Sequence, residues 1–255
     1  MPAPSRAPLL HYNSDMNHGP TDRLTDPRWS TLLSLSAHEF STPLSVVAGY
    51  IRLVLEDRSI GDPHRRLLEA AQKSCGNLTL VLAELRELSR LESGETKFNR
   101  STLKLKSVLA DAIAAQPDLP ERTVKTVLIA DSDPSVDGDA IKLKNAFASI
   151  LQALRRELVT SDELVLQLDA RDQDARRSLR ITIGEPNQMG ELLQLEPHAL
   201  VAFDEWRGGN GLRLPNARRI IEAHGGRVLD RVWEPVDVEP KRSKTTAIIT
   251  LPSSA

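Results

Sequence analysis

The fold is set by the first long apolar stretch of the chain, residues 26–57, which reads DPRWSTLLSLSAHEFSTPLSVVAGYIRLVLED. Asp26 can cap a helix and Pro27 suits a first helical turn, so a helix is predicted to begin there. Apolar residues then recur at alternating spacings of four and three, which is the heptad pattern of a helix packed lengthwise on others. The members of this seam are Leu33, Ala37, Phe40, Leu44, Val47, Ile51 and Val54.

A second heptad seam follows a break at residues 58–61, where Asp62 and Pro63 repeat the start signal. Two long helices joined by a short turn predict an antiparallel hairpin. Because one hairpin has too few helices to bury two seams, we expect a homodimer that forms a four-helix bundle. The alternative is a monomeric hairpin packed on the rest of the chain. The second seam consists of Leu68, Ala71, Cys75, Leu78, Leu82 and Leu85, and it ends near Gly94.

The chain changes character after Glu95. Alternating or β-branched segments predict strands, and the segments between them predict helices, so the predicted fold class is α+β: a helical hairpin followed by an α/β sandwich. The strands are expected at 123–129, 163–169, 178–183, 227–232 and 245–250, and the helices at 107–115, 139–159 and 215–224. The expected domains are a disordered tail at 1–26, the hairpin at 27–95, a linker at 96–103 and the α/β domain at 104–255.

Composition narrows the function classes. The 33 basic and 35 acidic residues leave a net charge of −2, so bulk attraction to nucleic acid is not indicated. The single cysteine excludes an intrachain disulfide and disfavours a zinc site, and no residue is assigned as a metal ligand. The longest stretch without Asp, Glu, Lys or Arg, residues 40–51, is too short to cross a bilayer. With no secretory signal, we expect a cytoplasmic protein.

Residues 38–44, HEFSTPL, carry the candidate chemistry of the first helix. His38 follows the seam residue Ala37 by one position, so its imidazole is expected to face solvent, where it can attack a phosphoryl group. Glu39 can hold the proton on the other ring nitrogen. Thr42 lies one turn from His38 on the same face, where its hydroxyl can orient a water. These three residues are the predicted catalytic set.

This segment resembles the H-box of bacterial two-component sensor histidine kinases, a His-Glu-x-x-Thr-Pro-Leu pattern. The resemblance continues in the family's order through the end of the second helix (85–95), a variant F-box (203–206), the glycine-rich G2 box with its helix (208–226) and the last strand (245–252). It implies a dimerisation and phosphotransfer hairpin followed by a Bergerat-type ATP-binding domain. It also implies ATP and Mg²⁺ as cofactors, and the receiver domain of a response regulator as partner.

The same resemblance assigns the nucleotide-binding positions. In the family one of two N-box asparagines helps to hold Mg²⁺, and the first of these positions is Ser149, which can offer a hydroxyl. The adenine-reading aspartate of the G1 box falls at Glu185. In the G2 box Gly209 and Gly211 are kept, and their missing side chains let backbone amides approach phosphates. The next glycine position is Arg213, whose guanidinium can contact a phosphate or fill the pocket.

Several positions depart from the family pattern. The second N-box asparagine position is Ala153, and only two residues separate Trp206 from Gly209, so the usual ATP lid is nearly absent. A missing lid leaves a triphosphate exposed to water. Together these changes predict weak retention of Mg-ATP.

Three functions remain open from the sequence. The chain is an active histidine kinase, or a phosphotransfer protein charged by a phosphorylated regulator, or a non-enzymatic dimeric adaptor. The intact H-box argues against the adaptor, which needs no such arrangement. The altered nucleotide positions favour the second function over the first, and the retained G2 helix and F-box favour the first. The sequence therefore predicts a phosphorelay protein of the histidine-kinase type.

Overall fold

The structure is a computed structural model, and it describes residues 27–120, 122–158, 161–173, 176–207, 211–231 and 245–254. The tail predicted at residues 1–26 lies outside the described residues. Within the described part of the chain, no helix is both long enough and apolar enough to cross a membrane.

Two long helices, α1 (Pro27–Glu56) and α2 (Asp62–Glu92), form the hairpin predicted from the heptads. Gly61 is the N-cap residue of α2, and Pro63 lies in its first turn, where the missing backbone N–H costs no hydrogen bond. The prediction that Asp62 would cap α2 is therefore wrong by one residue, because Asp62 is already helical. The helix ends at Ser93, and Gly94 follows with a φ of +71°, a conformation that favours glycine.

The seam of α1 divides into two stripes. Ala37 is fully buried against α2, and Leu44 and Ile51, at seven-residue steps from it, are half-buried in the hairpin. Three of the alternate members remain exposed, with 62% of Phe40, 51% of Val47 and 46% of Val54 open to solvent. One stripe therefore closes the hairpin, while the other is left for a further packing partner.

The rest of the chain forms the predicted α/β sandwich. Within the described residues, six strands form one sheet in the order β2-β4-β5-β8-β7-β6, in which only the β2–β4 pair is parallel, and β1 pairs separately with β3. The strands are β1 (Ser101–Lys104), β2 (Lys125–Ala130), β3 (Ser135–Gly138), β4 (Glu163–Gln173), β5 (Arg176–Gly184), β6 (Leu200–Ala202), β7 (Arg227–Arg231) and β8 (Ala247–Pro252); the helices are α3 (Leu105–Ala114), α4 (Ala140–Glu157), α5 (Met189–Leu192) and α6 (Arg213–Ala223).

The core lies between the sheet and helices α3, α4 and α6. Alternate residues of β4, such as Leu164 and Leu166, belong to the main core, and Val165 between them packs with Met189 and Leu192 of α5. This alternation is the period of two expected for a strand with different layers on its two faces.

The sequence prediction missed the short strands and misplaced some ends of helices. Strands β1, β3 and β6 have three or four residues each, too few to show a period. Strand β1 begins at Ser101, inside the predicted linker 96–103. Helix α6 begins at Arg213, two residues before the predicted start at Pro215, because proline fits anywhere in the first helical turn.

Candidate phosphotransfer site

His38 lies in a groove between α1 and α2 with a volume of about 550 Å³. Its ring is exposed, while the preceding Ala37 is fully buried, as the heptad position predicted. The other lining side chains are polar: two arginines, one carboxylate and five hydroxyl-bearing residues, namely Arg86, Arg90, Glu95, Ser30, Thr31, Ser34, Ser89 and Ser93. Such a lining suits an anion held next to an imidazole.

Hydrogen bonds across the hairpin fix this groove. Arg86 donates from Nη2 to the hydroxyl of Ser41 at 2.5 Å and reaches the carbonyl of Ala37 at 3.4 Å. Ser89 donates to the carbonyl of Ser30 at 2.8 Å. The guanidinium of Arg86 is therefore held beside the turn that carries His38, whereas Arg90, one turn further along α2, is exposed. Neither arginine could be assigned to this site from the sequence, because their relation to His38 depends on the register of the two helices.

Glu39 and Thr42 are both exposed on α1. No hydrogen bond joins Glu39 to His38 among the contacts of the described hairpin, because neighbouring side chains on a helix diverge by about 100°. The hydrogen bond expected between them is therefore not formed in this conformation. Thr42 stays on the helical face of His38, one turn away.

The predicted nucleotide residues are only partly brought together. Ser149 and Arg213 line one cleft of about 410 Å³ between α2, α4 and α6. Glu185, at the end of β5, is fully buried and is not among the residues that line this cleft. Gly209 lies outside the described residues. Ala153 is fully buried in the domain core.

A carboxylate of the hairpin occupies the mouth of this cleft. Glu84 of α2 accepts from the Nε of Arg213 at 2.8 Å and from the backbone N–H of Leu212, at the start of α6, at 3.3 Å. Gly211 has a φ of +60°, and a Cβ there would lie 3.3 Å from the same carboxylate. The glycine therefore permits both the turn and the close approach of an anion.

The remaining candidate groups in the cleft are also engaged. The hydroxyl of Ser149 donates to the carbonyl of Asn145 in its own helix at 2.9 Å, and Arg213 donates to Gln152 at 3.1 Å. No group of three His, Cys, Asp or Glu side chains that could hold a metal occurs in the described ranges. The end of the cleft at α6 fits an anion such as a phosphate, but in this conformation the anion is Glu84.

Arg207 lies where the sequence predicted that an ATP lid is nearly absent, and its contacts were missed by sequence reasoning. Its guanidinium pairs with Glu157 of α4 at 2.5 Å and with Asp230 of β7 at 2.8 Å, and it lies 4.9 Å above the ring of Phe203. Its side chain is only 9% exposed. Arg207 is therefore held to the domain by a buried ion-pair network.

His224 is the C-cap residue of α6. Its Nδ1 lies 2.6 Å from the carbonyl of Ile220, and its Nε2 accepts from the N–H of Asp139 at 3.0 Å. Burial lowers the pKa of His224 below its ordinary value, although the Ile220 carbonyl acts in the opposite direction. The ring is thus a neutral link between α6 and the start of α4.

Comparison with known proteins identifies the hairpin. The sequence model of the His Kinase A (phospho-acceptor) domain matches residues 28–94. The chain is 24% identical to the sensor histidine kinase GacS of Pseudomonas protegens over 208 residues, covering 78% of this chain and 23% of that protein. It is 24% identical to the signal transduction histidine-protein kinase BaeS of Escherichia coli over 200 residues, covering 76% of this chain and 42% of that protein.

A third relative and a solved structure agree with this result. The virulence sensor protein BvgS of Bordetella parapertussis is 21% identical over 216 residues, covering 79% of this chain and 17% of that protein. The chain therefore spans less than half the length of each of these relatives. The crystal structure of full-length ShkA in complex with AMPPNP superposes with a TM-score of 0.61 at 19% identity, over 88% of this chain and 46% of that one. This likeness confirms the fold class.

Proposed function

We propose that this chain has a phosphotransfer function of the two-component histidine-kinase type. The proposal starts from residues 28–94, which match the His Kinase A (phospho-acceptor) domain. His38 accepts a phosphoryl group and passes it to an aspartate of a response-regulator receiver domain. The relatives of the chain are sensor histidine kinases, which supports this assignment.

The observation that carries the proposal is the position of His38. Its ring is exposed on α1, at the edge of a groove that also presents Arg86 and Arg90. A phosphoryl group on the ring carries negative charge, which the two guanidiniums can offset by charge-assisted hydrogen bonds. Because the His38 side chain is exposed, a second protein can approach the ring from solvent.

The chemistry belongs to the imidazole of His38. One ring nitrogen forms a bond to phosphorus while the bond from phosphorus to the donor oxygen breaks, and the electron pair leaves with that oxygen. In the second step the aspartate carboxylate of the receiver forms a P–O bond and the N–P bond breaks, which returns the free imidazole. Glu39 is proposed to stabilise the ring proton through a rotamer change, and Thr42 to orient a water when the phosphoryl group is hydrolysed.

ATP with Mg²⁺ is the phosphoryl donor that the kinase relatives suggest, and a complex with AMPPNP is named for ShkA. Leu212, Gly211 and Arg213 would hold the phosphates, because they form the anion-binding end of the cleft. Ser149 would have to give up its bond to the Asn145 carbonyl to take part. When bound, the nucleotide supplies the phosphoryl group.

Dimerisation through the hairpin is the second part of the proposal. The exposed stripe of α1 offers apolar side chains at seven-residue steps, including Phe40, Val47 and Val54. Pairing these stripes between two copies would bury the seam that the single hairpin leaves open. The homodimer predicted from the sequence therefore gains support from the unpaired stripe.

A second candidate donor is favoured by one specific contact. Because the carboxylate of Glu84 occupies the anion-binding end of the cleft, His38 can be charged instead by a phosphorylated receiver domain, with the flow of phosphoryl groups reversible. In that case the α/β domain serves as a scaffold.

Labelling the full chain tests these proposals. One arm uses radiolabelled ATP with Mg²⁺, and the other uses a receiver domain carrying a labelled aspartyl phosphate. Label on His38 in the first arm supports the kinase, and label only in the second supports receiver-driven transfer. His38→Gln should remove the label and His64→Gln, an exposed histidine of the same hairpin, should retain it. Absence of label in both arms would contradict the proposed function.

A further inference from the structure

We propose that the hairpin closes the cleft of its own α/β domain, with the Glu84 carboxylate bound as an internal anion in the place of a phosphate-bearing ligand. The inference rests on the proposed function, because it concerns control of the same phosphotransfer site. The phosphate of a ligand and the Glu84 carboxylate of α2 then cannot occupy the cleft at the same time.

The contacts of Glu84 are those of a bound anion. Its two carboxylate oxygens accept from the Arg213 guanidinium at 2.8 Å and the Leu212 amide at 3.3 Å. Leu212 is the N-cap residue of α6 and supplies no side-chain cap of its own, so this helix start offers free N–H groups and the positive end of its dipole. The Glu84 side chain is 19% exposed, so solvent screens the contact only in part.

An independent sign of a ligand position is Asn216, which lines the same cleft and is 7% exposed. Its amide nitrogen donates to the carbonyl of Glu84 at 2.9 Å, which ties the side chain to the docked helix. Its amide oxygen is buried and has no hydrogen-bond partner. A buried acceptor without a donor is a cost of the closed arrangement. Docking of α2 therefore leaves the amide oxygen of Asn216 without a hydrogen bond, and a hydrated ligand can supply the missing donor.

Two further carboxylates of α2 extend the contact along the domain. Glu87 pairs with Lys142 of α4, and Glu92 pairs with Arg219 of α6. Burial by itself lowers the pKa of Arg219, but hydrogen bonds to Glu222 and Glu92 outweigh it and raise the pKa above its ordinary value. An acidic stripe of the hairpin thus faces a basic stripe of the α/β domain.

The closed arrangement separates the cleft from His38. The cleft uses Glu84 and Glu87 of α2, whereas the His38 groove uses Arg86 and Arg90. Glu84 and Arg86 are two positions apart, or about 200° around the helix. A group bound beside Glu84 therefore lies on the side of α2 away from the Arg86 guanidinium of the His38 groove. The His38 groove stays open, so the closed form can exchange phosphoryl groups with a receiver while its cleft is shut.

Glu84→Gln tests the internal anion because it removes the charge and keeps the shape. The probe is inorganic triphosphate, titrated into the full chain by calorimetry, which needs no adenine contact. We expect Glu84→Gln to bind triphosphate about tenfold more tightly than the wild type, since a closed population lowers apparent affinity. Glu69→Gln, an exposed carboxylate of α2 that forms none of these ion pairs, is the matched control and should bind like the wild type.

A charge exchange tests the docking itself. Glu87→Lys and Lys142→Glu should each increase the radius of gyration measured by solution X-ray scattering, because like charges then face each other. The double variant should restore the wild-type radius. Far-ultraviolet circular dichroism checks that each variant is folded.

The two measurements decide the matter together. If Glu84→Gln binds triphosphate no better than Glu69→Gln, or if the single exchange variants keep the wild-type radius, the internal closure is wrong. Neither measurement depends on phosphorylation of His38. Failure of the closure therefore leaves the proposed function standing, and loss of labelling at His38 leaves the closure standing.

Discussion

An imidazole that carries a phosphoryl group needs access and nearby positive charge. The helical position of His38, one residue past the buried Ala37, provides the access. The charge comes from Arg86 and Arg90, which lie on the other helix. Arg86 is fixed by Ser41 and the Ala37 carbonyl, so it also has a structural role. Arg90 is exposed, so its removal tests the effect of its charge on the phosphoryl group without disturbing the packing of the hairpin.

Arg90→Ala should slow phosphoryl exchange at His38 about tenfold, the effect of losing one charge-assisted contact to the transferred group. Rapid-quench measurement of transfer between the chain and its labelled receiver checks the rate. Arg66→Ala removes an exposed arginine of the same helix outside the groove and should leave the rate unchanged. Equal transfer rates for the two variants would show that Arg90 does not act on the phosphoryl group at His38.

At the scale of single elements, the two stripes of α1 have separate tasks. The stripe containing Ala37, Leu44 and Ile51 packs on α2, and the stripe containing Val47 remains exposed in one chain. A polar substitution in the first stripe would disturb the hairpin and the dimer together. A substitution in the second stripe distinguishes the dimer from a monomeric hairpin.

Val47→Asp should weaken the dimer roughly 100-fold or more, because association would bury a charge in an apolar seam. Analytical ultracentrifugation over a range of protein concentrations measures the dissociation constant. The control is Ile141→Asp, an exposed apolar residue of α4. If the two variants associate equally, the monomeric alternative is favoured.

Arg207 shows how one side chain can link separate elements of the α/β domain. Arg207 joins α4 to β7 through Glu157 and Asp230, and the hydroxyl of Thr246 also bonds to Asp230. Asp230 is 5% exposed, so its ion pair with Arg207 is shielded from solvent.

Arg207→Ala should lower the free energy of unfolding by about 3 kcal/mol, because the buried Asp230 carboxylate loses its ion pair with Arg207. Urea denaturation followed by circular dichroism measures the change. Arg227→Ala, at an exposed position of β7, should change the free energy by no more than about 0.5 kcal/mol. A similar small change for Arg207→Ala would mean that the network contributes little to stability.

At the scale of the whole molecule, His224 connects several parts of the α/β domain. It bonds to Ile220 and Asp139, and its ring contacts Phe98 edge to face at a centroid distance of 4.9 Å. Asp139 caps α4 through the N–H of Lys142 and also accepts from the N–H of Asn99, near the end of the hairpin. If Nε2 of His224 took up a proton, its N–H would face the backbone N–H of Asp139. Two donors would then meet, and the hydrogen bond between these residues would be lost.

Stability should therefore fall as pH drops below about 6.5. The folded-state pKa of His224 is lowered by burial and by Arg100, against the influence of Ile220, Asp139 and Asp137. As the pH falls, His224 therefore takes up its proton in the unfolded chain before it does so in the folded chain, which favours unfolding. The loss of stability is complete once the pH is below the folded-state pKa. Urea denaturation at about pH 8 and about pH 5.5 measures it.

His224→Gln keeps an acceptor for the Asp139 N–H but does not titrate. We expect it to reduce the stability at the higher pH and to show a smaller decrease between the two pH values than the wild type. An unchanged difference would assign the pH dependence to other groups.

The sequence alone determined the hairpin, the main helices and strands of the sandwich, and the exposure of His38. These features follow from local periodicity: seam residues three and four positions apart fix which face of a helix is buried. The resemblance along the chain also predicted a phosphoacceptor hairpin, and residues 28–94 match the His Kinase A (phospho-acceptor) domain.

Only the tertiary structure decided which distant groups meet. Glu84 and Arg213 are 129 positions apart, and Arg207 and Glu157 are 50 apart. Periodicity reports burial but not the partner of a charged side chain, which depends on how the domains pack. The arginines beside His38, the ion pairs of Arg207 and the carboxylate in the cleft therefore emerged from the packing of α2 and of the sandwich.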